Sequence, residues 1–133
     1  MQVKRFGVSL EEDLLKALDN IVVNNQFPNR SQAIRHLIKS TVVAENVDQN
    51  KTVAGAIVIV YDHHKREINS KLVNVQHDFH HLILSTQHVH LEHDLCLETI
   101  AVKGKSQELI SLADRIIGTK GIHHGKLVMT DLG

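Results

Sequence analysis

The sequence predicts an α+β fold in two parts: a strand–helix–turn–helix module, then a βαββαβ module of ferredoxin-like order. Three observations carry this. Residues 3 to 10 alternate between apolar and polar at the period of a strand, and two amphipathic helical stretches follow. Beyond residue 52, apolar runs rich in β-branched residues take turns with helical patterns. The polar stretch E-N-V-D-Q-N-K-T lies between the two regions. Residues 1–45 are therefore read as one module, 46–52 as a linker and 53–133 as the second module.

In the first module, Phe6, Val8 and Leu10 point to one side while Arg5, Gly7 and Ser9 point to the other. A single short strand needs a partner, and no neighbouring strand follows, so the same strand of a second copy is the expected one. Ser9 with Glu12 reads as a capping box opening a helix. Leu14, Leu15, Leu18, Ile21 and Val22 form its buried face. The helix stops before Pro28, which disfavours helix in the preceding residue. Asn29 with Gln32 repeats the cap, and a second helix with Ala33, Ile34, Leu37 and Ile38 inward runs from Arg30 to about Val43. A unit this small rarely builds a sufficient core alone, so two copies packed together are expected.

The second module reads strand Val53–Tyr61, helix His63–Gln76, strand Leu82–Leu91, strand Cys96–Val102, helix Ser106–Thr119 and strand Ile122–Met129. The run Ala54 to Tyr61 is apolar enough for a buried strand. Ile68, Leu72 and Val75 mark the inner face of its first helix, with Asp62 as cap. Leu109, Leu112, Ile116 and Ile117 mark the second, with Gly121 as the stop.

Composition narrows the function. Formal charge is balanced, tryptophan is absent and aromatics are scarce, which excludes a basic nucleic-acid-coating tail and a stacking platform for single strands. The single cysteine excludes an intrachain disulfide and suits a reducing compartment. No leader and no apolar run of membrane-spanning length is read, so a cytoplasmic protein without membrane contact is expected. Histidine is the anomaly: ten of the eleven lie between residues 63 and 124.

The histidines gather around T-Q-H-V-H-L-E-H-D-L-C-L-E-T, residues 86 to 99. Period two puts His88 and His90 on one strand face, and Glu92, His93 and Asp94 form a hairpin interruption. Cys96 then opens the returning strand. Two imidazoles and a thiol converge there, and those donors suit a borderline or soft divalent metal. Spacing leaves the fourth ligand open among His77, His80, His81 and His93. His63 and His64 at a helix start are read as solvated residues, with an accessory metal site as the alternative. In the first module, a two-stranded ribbon would present Arg5 and Ser9 to base edges of DNA, with Gly7 allowing close approach. The Asn29-Arg30-Ser31 helix start would hold a phosphate.

The pattern R-F-G-V-S-L, E-E-D-L-L and N-R-S-Q-A-I-R resembles a ribbon-helix-helix DNA-binding domain. With Q-H at 76–77, H-V-H at 88–90, C-L-E at 96–98 and the G-x-x-H-G-K-L ending, the whole chain resembles the nickel-responsive transcriptional regulator family, NikR. The resemblance implies an ACT-like second domain and a homotetramer built as a dimer of dimers. It implies His77 of a neighbouring subunit as the fourth ligand, with one Ni(II) per subunit, and Gln76 and Glu98 beside the ligands as orienting residues. It further implies a regulator, not an enzyme, that binds a palindromic double-stranded operator and represses nickel uptake genes. Carboxylates that some members use for a cation in the second helix are replaced here by Gln32 and His36. The alternative is a His/Cys zinc metalloenzyme; against it, the Cys-x-x-Cys partner of zinc deaminases is missing.

Overall fold

The computed structural model describes residues 2–132. Its elements are α1 (Glu12–Asn24), α2 (Arg30–Asp48), β1 (Thr52–Asp62), α3 (Arg66–Asp78), a single 3-10 turn (His80–Leu82), β2 (Ile83–His90), β3 (Leu95–Lys105), α4 (Ser106–Ile117) and β4 (Ile122–Thr130). The chain divides into two compact units, residues 1–41 and 42–133, and the division falls within α2.

In the first unit, residues 2–10 form no strand within the single chain. The physical reason is the missing partner: a strand's backbone groups have nothing to pair with in one copy. α1 starts at Glu12 with Glu11 at its cap and no side-chain cap bond. The Ser9–Glu12 capping box is therefore not formed, because the helix begins too late for Ser9 to reach its first amides. α1 ends where Gln26 adopts a left-handed φ of 58°. The second cap forms as expected, with the Gln32 N–H donating to Asn29 Oδ1 at 2.9 Å. Arg30 then reaches back to Asp19, donating through Nε and Nη2 at 2.8 and 3.0 Å. Leu18 and Ala33 are buried, but Phe6, Val8, Leu14, Leu37 and Ile38 stay exposed.

The second unit is a four-stranded antiparallel sheet in the order β2-β3-β1-β4, with the elements in the expected βαββαβ sequence. β1 is the long central strand, pairing with β3 from Thr52↔Lys105 to Asp62↔Leu95. Its alternate residues Val53, Ile57, Ile59 and Tyr61 meet Ile68 and Leu72 of α3 and Leu109, Leu112 and Ile116 of α4 in one core. Full burial of an aliphatic side chain of this kind contributes about 1.5–3 kcal/mol relative to exposure. Gly55 is required where β1 and β4 cross closely, since a Cβ there would collide with the Val128 carbonyl oxygen.

α2 continues through Asp48, past its expected end, so the polar run after Ala44 is partly helical. Long-range bonds hold this end in place. Ser106 Oγ donates to the Val47 carbonyl at 2.8 Å, and the Ser106 N–H donates to the Lys51 carbonyl at 3.1 Å. The Gln107 N–H donates to Asn50 Oδ1 at 2.9 Å. The first amides of α4 thereby find acceptors in the segment that follows α2, and the Ser106 hydroxyl bonds a carbonyl of the last turn of α2. At α3 the cap is Lys65 rather than Asp62, which instead accepts the His64 N–H at 2.9 Å. α4 ends at Ile117 with Gly118 as cap; Gly121, at φ 104°, makes the turn into β4 instead of stopping the helix.

Candidate functional site

β2 and β3 form the hairpin that carries the metal-binding residue types. Their register sets His90 opposite Cys96 and His88 opposite Glu98, so all four share one sheet face. From the other side, β1 sets Tyr61 opposite Cys96 and Ile59 opposite Glu98. The His88 and His90 rings are 5.5 Å apart between centroids and exposed to solvent. Cys96 is fully buried. The site thus has a wet imidazole edge and a dry thiol interior.

Burial pushes the Cys96 thiol above its ordinary pKa, the charges of Glu98 and Asp62 add to this, and a hydrogen bond with Tyr61 opposes it. Tyr61 is raised as well, by burial first and by its thiol and carboxylate neighbours after that. Glu98 is a buried carboxylate with partners from three elements. Tyr61 OH donates to Oε1 at 3.1 Å and Gln76 Nε2 to Oε2 at 2.6 Å, while His88 Nδ1 lies 3.4 Å from Oε1. A histidine whose Nδ1 faces a carboxylate keeps Nε2 for a metal, and such a partner fixes both tautomer and ring orientation. Gln76 and Glu98, marked in the sequence only as neighbours of candidate ligands, are hydrogen-bonded to each other.

Other candidates are positioned differently. His77 is exposed in the last turn of α3, where its carbonyl oxygen is 3.0 Å from His80 Nδ1. Among the described residues of one chain, no group of three or more His, Cys, Asp or Glu side chains is arranged to hold a metal ion. The structure gathers His88, His90 and Cys96 on one face without adding a fourth donor from the same chain. His93 is exposed in the hairpin loop at φ 62°. His63 is not simply solvated: it is half-buried, its ring edge-on to His90 at 4.6 Å, with Nδ1 buried and unpaired. His64 faces Asp94, Nε2 to Oδ1 2.9 Å.

In sequence Tyr61 looks like one more apolar strand position, and His63, read as a solvated residue or an accessory metal ligand, gives no sign of packing on His90. The signal available for Tyr61 was its being the one tyrosine, at the end of a strand otherwise made of small and aliphatic residues.

In the first unit, Arg5, Gly7 and Ser9 are exposed, and nothing lies within 4 Å of the point where a Gly7 Cβ would sit. An open groove of about 1250 Å³ is lined by Phe6, Val8 and Leu10 together with Leu15, Leu18 and Ile34. Asn29, Arg30 and Ser31 are exposed at the start of α2, with the Arg30 guanidinium engaged by Asp19. Gln32 and His36 line a small surface depression with Phe27, Arg35 and Lys39, and no carboxylate contributes to that lining.

The family profile described as the NikR C-terminal nickel-binding domain matches residues 54–130. Proteins provisionally named nickel-responsive regulator are similar over nearly the whole chain. The one from Syntrophus aciditrophicus is 44% identical over 131 residues, covering 98% of this chain and 96% of that protein. The one from Solibacter usitatus is 45% identical over 132 residues, covering 98% and 95%. Among solved structures, an uncharacterized protein of Thermotoga maritima shares the fold over 61% of this chain and 100% of its own, with TM-score 0.56 and 15% identity. No helix among the described residues is long and apolar enough to cross a membrane.

Proposed function

The chain belongs to the NikR family of nickel-responsive regulators, a regulator and not an enzyme, and on that premise we propose that nickel controls its binding to a palindromic double-stranded operator. The carrying observation is the hairpin register that pairs His90 with Cys96 and sets His88 on the same face. These donors fit the metal: two exposed imidazoles beside a buried thiol match the mixed nitrogen and sulfur preference of Ni(II).

In this proposal, His88, His90 and Cys96 of one subunit are joined by His77 of a neighbour, one Ni(II) per subunit in a homotetramer arranged as a dimer of dimers. Ni(II) held by these donors would link two subunits, and only some relative arrangements of them would bring both sets of donors to one ion. Glu98 lies 3.4 Å from His88 Nδ1 and is itself held by Gln76, so the imidazole faces a fixed carboxylate before metal arrives. The Cys96 thiol gives up its proton on binding, so affinity falls as pH falls.

Residues 1–45 act as a ribbon-helix-helix DNA-binding domain and residues 53–133 as the ACT-like regulatory domain, with 46–52 joining them. The exposed Phe6, Val8 and Leu10, and the open groove they line, support pairing with the same segment of a second copy. On that ribbon, Arg5 and Ser9 read base edges and Gly7 lets the backbone come close. At the start of α2, Asn29 and Arg30 are tied to Gln32 and Asp19, so phosphate contact there falls to the backbone N–H groups and Ser31. Because nickel favours the DNA-binding arrangement, DNA must favour nickel by the same factor. The regulator acts in the cytoplasm as a repressor of nickel uptake genes.

The test is a gel shift on a palindromic promoter fragment with and without nickel, for the wild-type chain and Cys96→Ala. Nickel-dependent retardation by wild type alone supports the proposal. A Cys96→Ala protein that still responds to nickel refutes the assigned site.

A further inference from the structure

We propose that Tyr61 is a positioning residue of the metal centre, its hydroxyl fixing the Glu98 carboxylate that orients His88 while its ring walls the Cys96 thiol off from solvent. The inference rests on the metal site described above and adds to it a residue from a different strand.

The geometry is specific. Tyr61 is the register partner of Cys96 across β1 and β3, and is 2% exposed. Its hydroxyl donates to Glu98 Oε1 at 3.1 Å, the same oxygen that His88 Nδ1 approaches at 3.4 Å. Its ring also meets His88 edge-on, with centroids 6.0 Å apart. One side chain therefore touches a ligand directly, holds that ligand's carboxylate and covers a second ligand.

A tyrosine suits this task better than phenylalanine for a definite reason. A buried carboxylate has about four lone-pair positions to satisfy, and each one left unpaired is costly. Gln76 occupies one oxygen of Glu98; the other is shared by Tyr61 and His88. Without the phenol, Oε1 keeps only the 3.4 Å approach of His88 Nδ1, and the carboxylate is held through Oε2 by Gln76 alone. The imidazole then loses the fixed reference that keeps its Nε2 aimed outward. Loss of an orienting partner of this kind costs about 10–100-fold in metal affinity.

The chain offers a direct readout. It contains one tyrosine and no tryptophan, so intrinsic fluorescence reports on Tyr61 alone. Purified wild type, Tyr61→Phe, Glu98→Gln, the double variant and His88→Ala are titrated with nickel chloride. Binding is followed by the thiolate-to-nickel absorption band and, where Tyr61 is present, by tyrosine emission. The apo proteins are compared by thermal melting.

In wild type, emission and the absorption band change together and saturate at the same nickel concentration. Tyr61→Phe weakens nickel binding at least about tenfold and alters the band; its apo protein folds but melts lower than wild type, because a buried carboxylate oxygen loses its donor. In the Glu98→Gln background the same change adds little, because the two residues act in series. Wild-type affinity and band in Tyr61→Phe overturn the proposal, as does full additivity with Glu98→Gln. If Tyr61→Phe does not fold, tyrosine emission that ignores saturating nickel in wild type overturns it instead. Failure of the underlying site reading looks different: His88→Ala would then bind nickel with the wild-type band.

Discussion

Cys96 and His90 are direct register partners across the β2–β3 hairpin, yet one is sealed in the core and the other stands in solvent. Neighbours on one sheet face usually share an environment. Here β3 is an inner strand covered by β1 and the helices, and β2 is the edge of the sheet. The pair straddles the boundary between core and surface, so its two members respond differently to substitution.

His90→Ala removes an exposed ring and leaves apo stability within about 0.5 kcal/mol of wild type. Cys96→Ala empties a small volume in a packed interior and costs about 1 kcal/mol. Both abolish nickel binding at the hairpin. Urea melts of the apo proteins beside nickel titrations separate the two effects. Equal stability losses would show that the pair does not straddle the boundary.

Gly55→Ala places a Cβ against the Val128 carbonyl oxygen where β1 and β4 meet. Backbone, unlike a side chain, cannot rotate away. The strands must separate locally, and the loss expected from overpacking is about 1–3 kcal/mol. Chemical denaturation measures it directly, and an unchanged midpoint would contradict the close approach.

The Asn50 side chain joins the end of α2 to the start of α4. Asn50 sits at φ 53°, a left-handed conformation that asparagine tolerates better than most residues. Asn50→Gly keeps the backbone at ease and removes the oxygen that accepts from the Gln107 N–H at 2.9 Å and from Ser106 Oγ at 3.5 Å. A loss of about 0.5–1.5 kcal/mol is expected, with faster hydrogen exchange at Gln107. Exchange at wild-type rate would mean the bond does not form in solution.

Asp19 and Arg30 make an exposed two-bond ion pair between α1 and α2. The hydrogen bond from Arg30 holds the Asp19 carboxyl below its ordinary pKa of 3.8. A carboxylate whose pKa is lower in the folded state binds its proton more readily when unfolded, so the pair stabilises above that value. The contribution fades as pH drops through the folded-state pKa. Asp19→Asn should therefore melt below wild type at pH 6 and converge on it once pH has fallen below the folded-state pKa of Asp19. The gap is small because the pair is solvated. A gap that persists at acid pH would show that the charge is not what matters.

Much of the site was legible because its signals are local. His88 and His90 alternate along one strand, and Cys96 follows a loop of hairpin length, so a period-two rule places all three. Gln76 and Glu98 were marked only by adjoining ligands in sequence, yet they meet at 2.6 Å. Helix ends were less legible. The Ser9–Glu12 pattern satisfies a capping rule, but the helix starts at Glu12, while the similar Asn29–Gln32 pattern does form its bond. A cap motif states what a side chain can do at a helix start and does not say where the start falls.

Taken alone, the sequence determined the βαββαβ order, the inward faces of α3 and α4, and the hairpin that sets a cysteine opposite a histidine. Each follows from periodicity within one element or between adjacent ones. Only the tertiary structure decided that Tyr61 bonds to Glu98 across 37 positions of chain, that Ser106 holds Val47 across 59, and that His63 packs on His90. Those contacts join segments that local patterns treat separately. They exist because β1 lies between β3 and β4 and draws distant residues onto one face, a consequence of strand order that no single stretch contains.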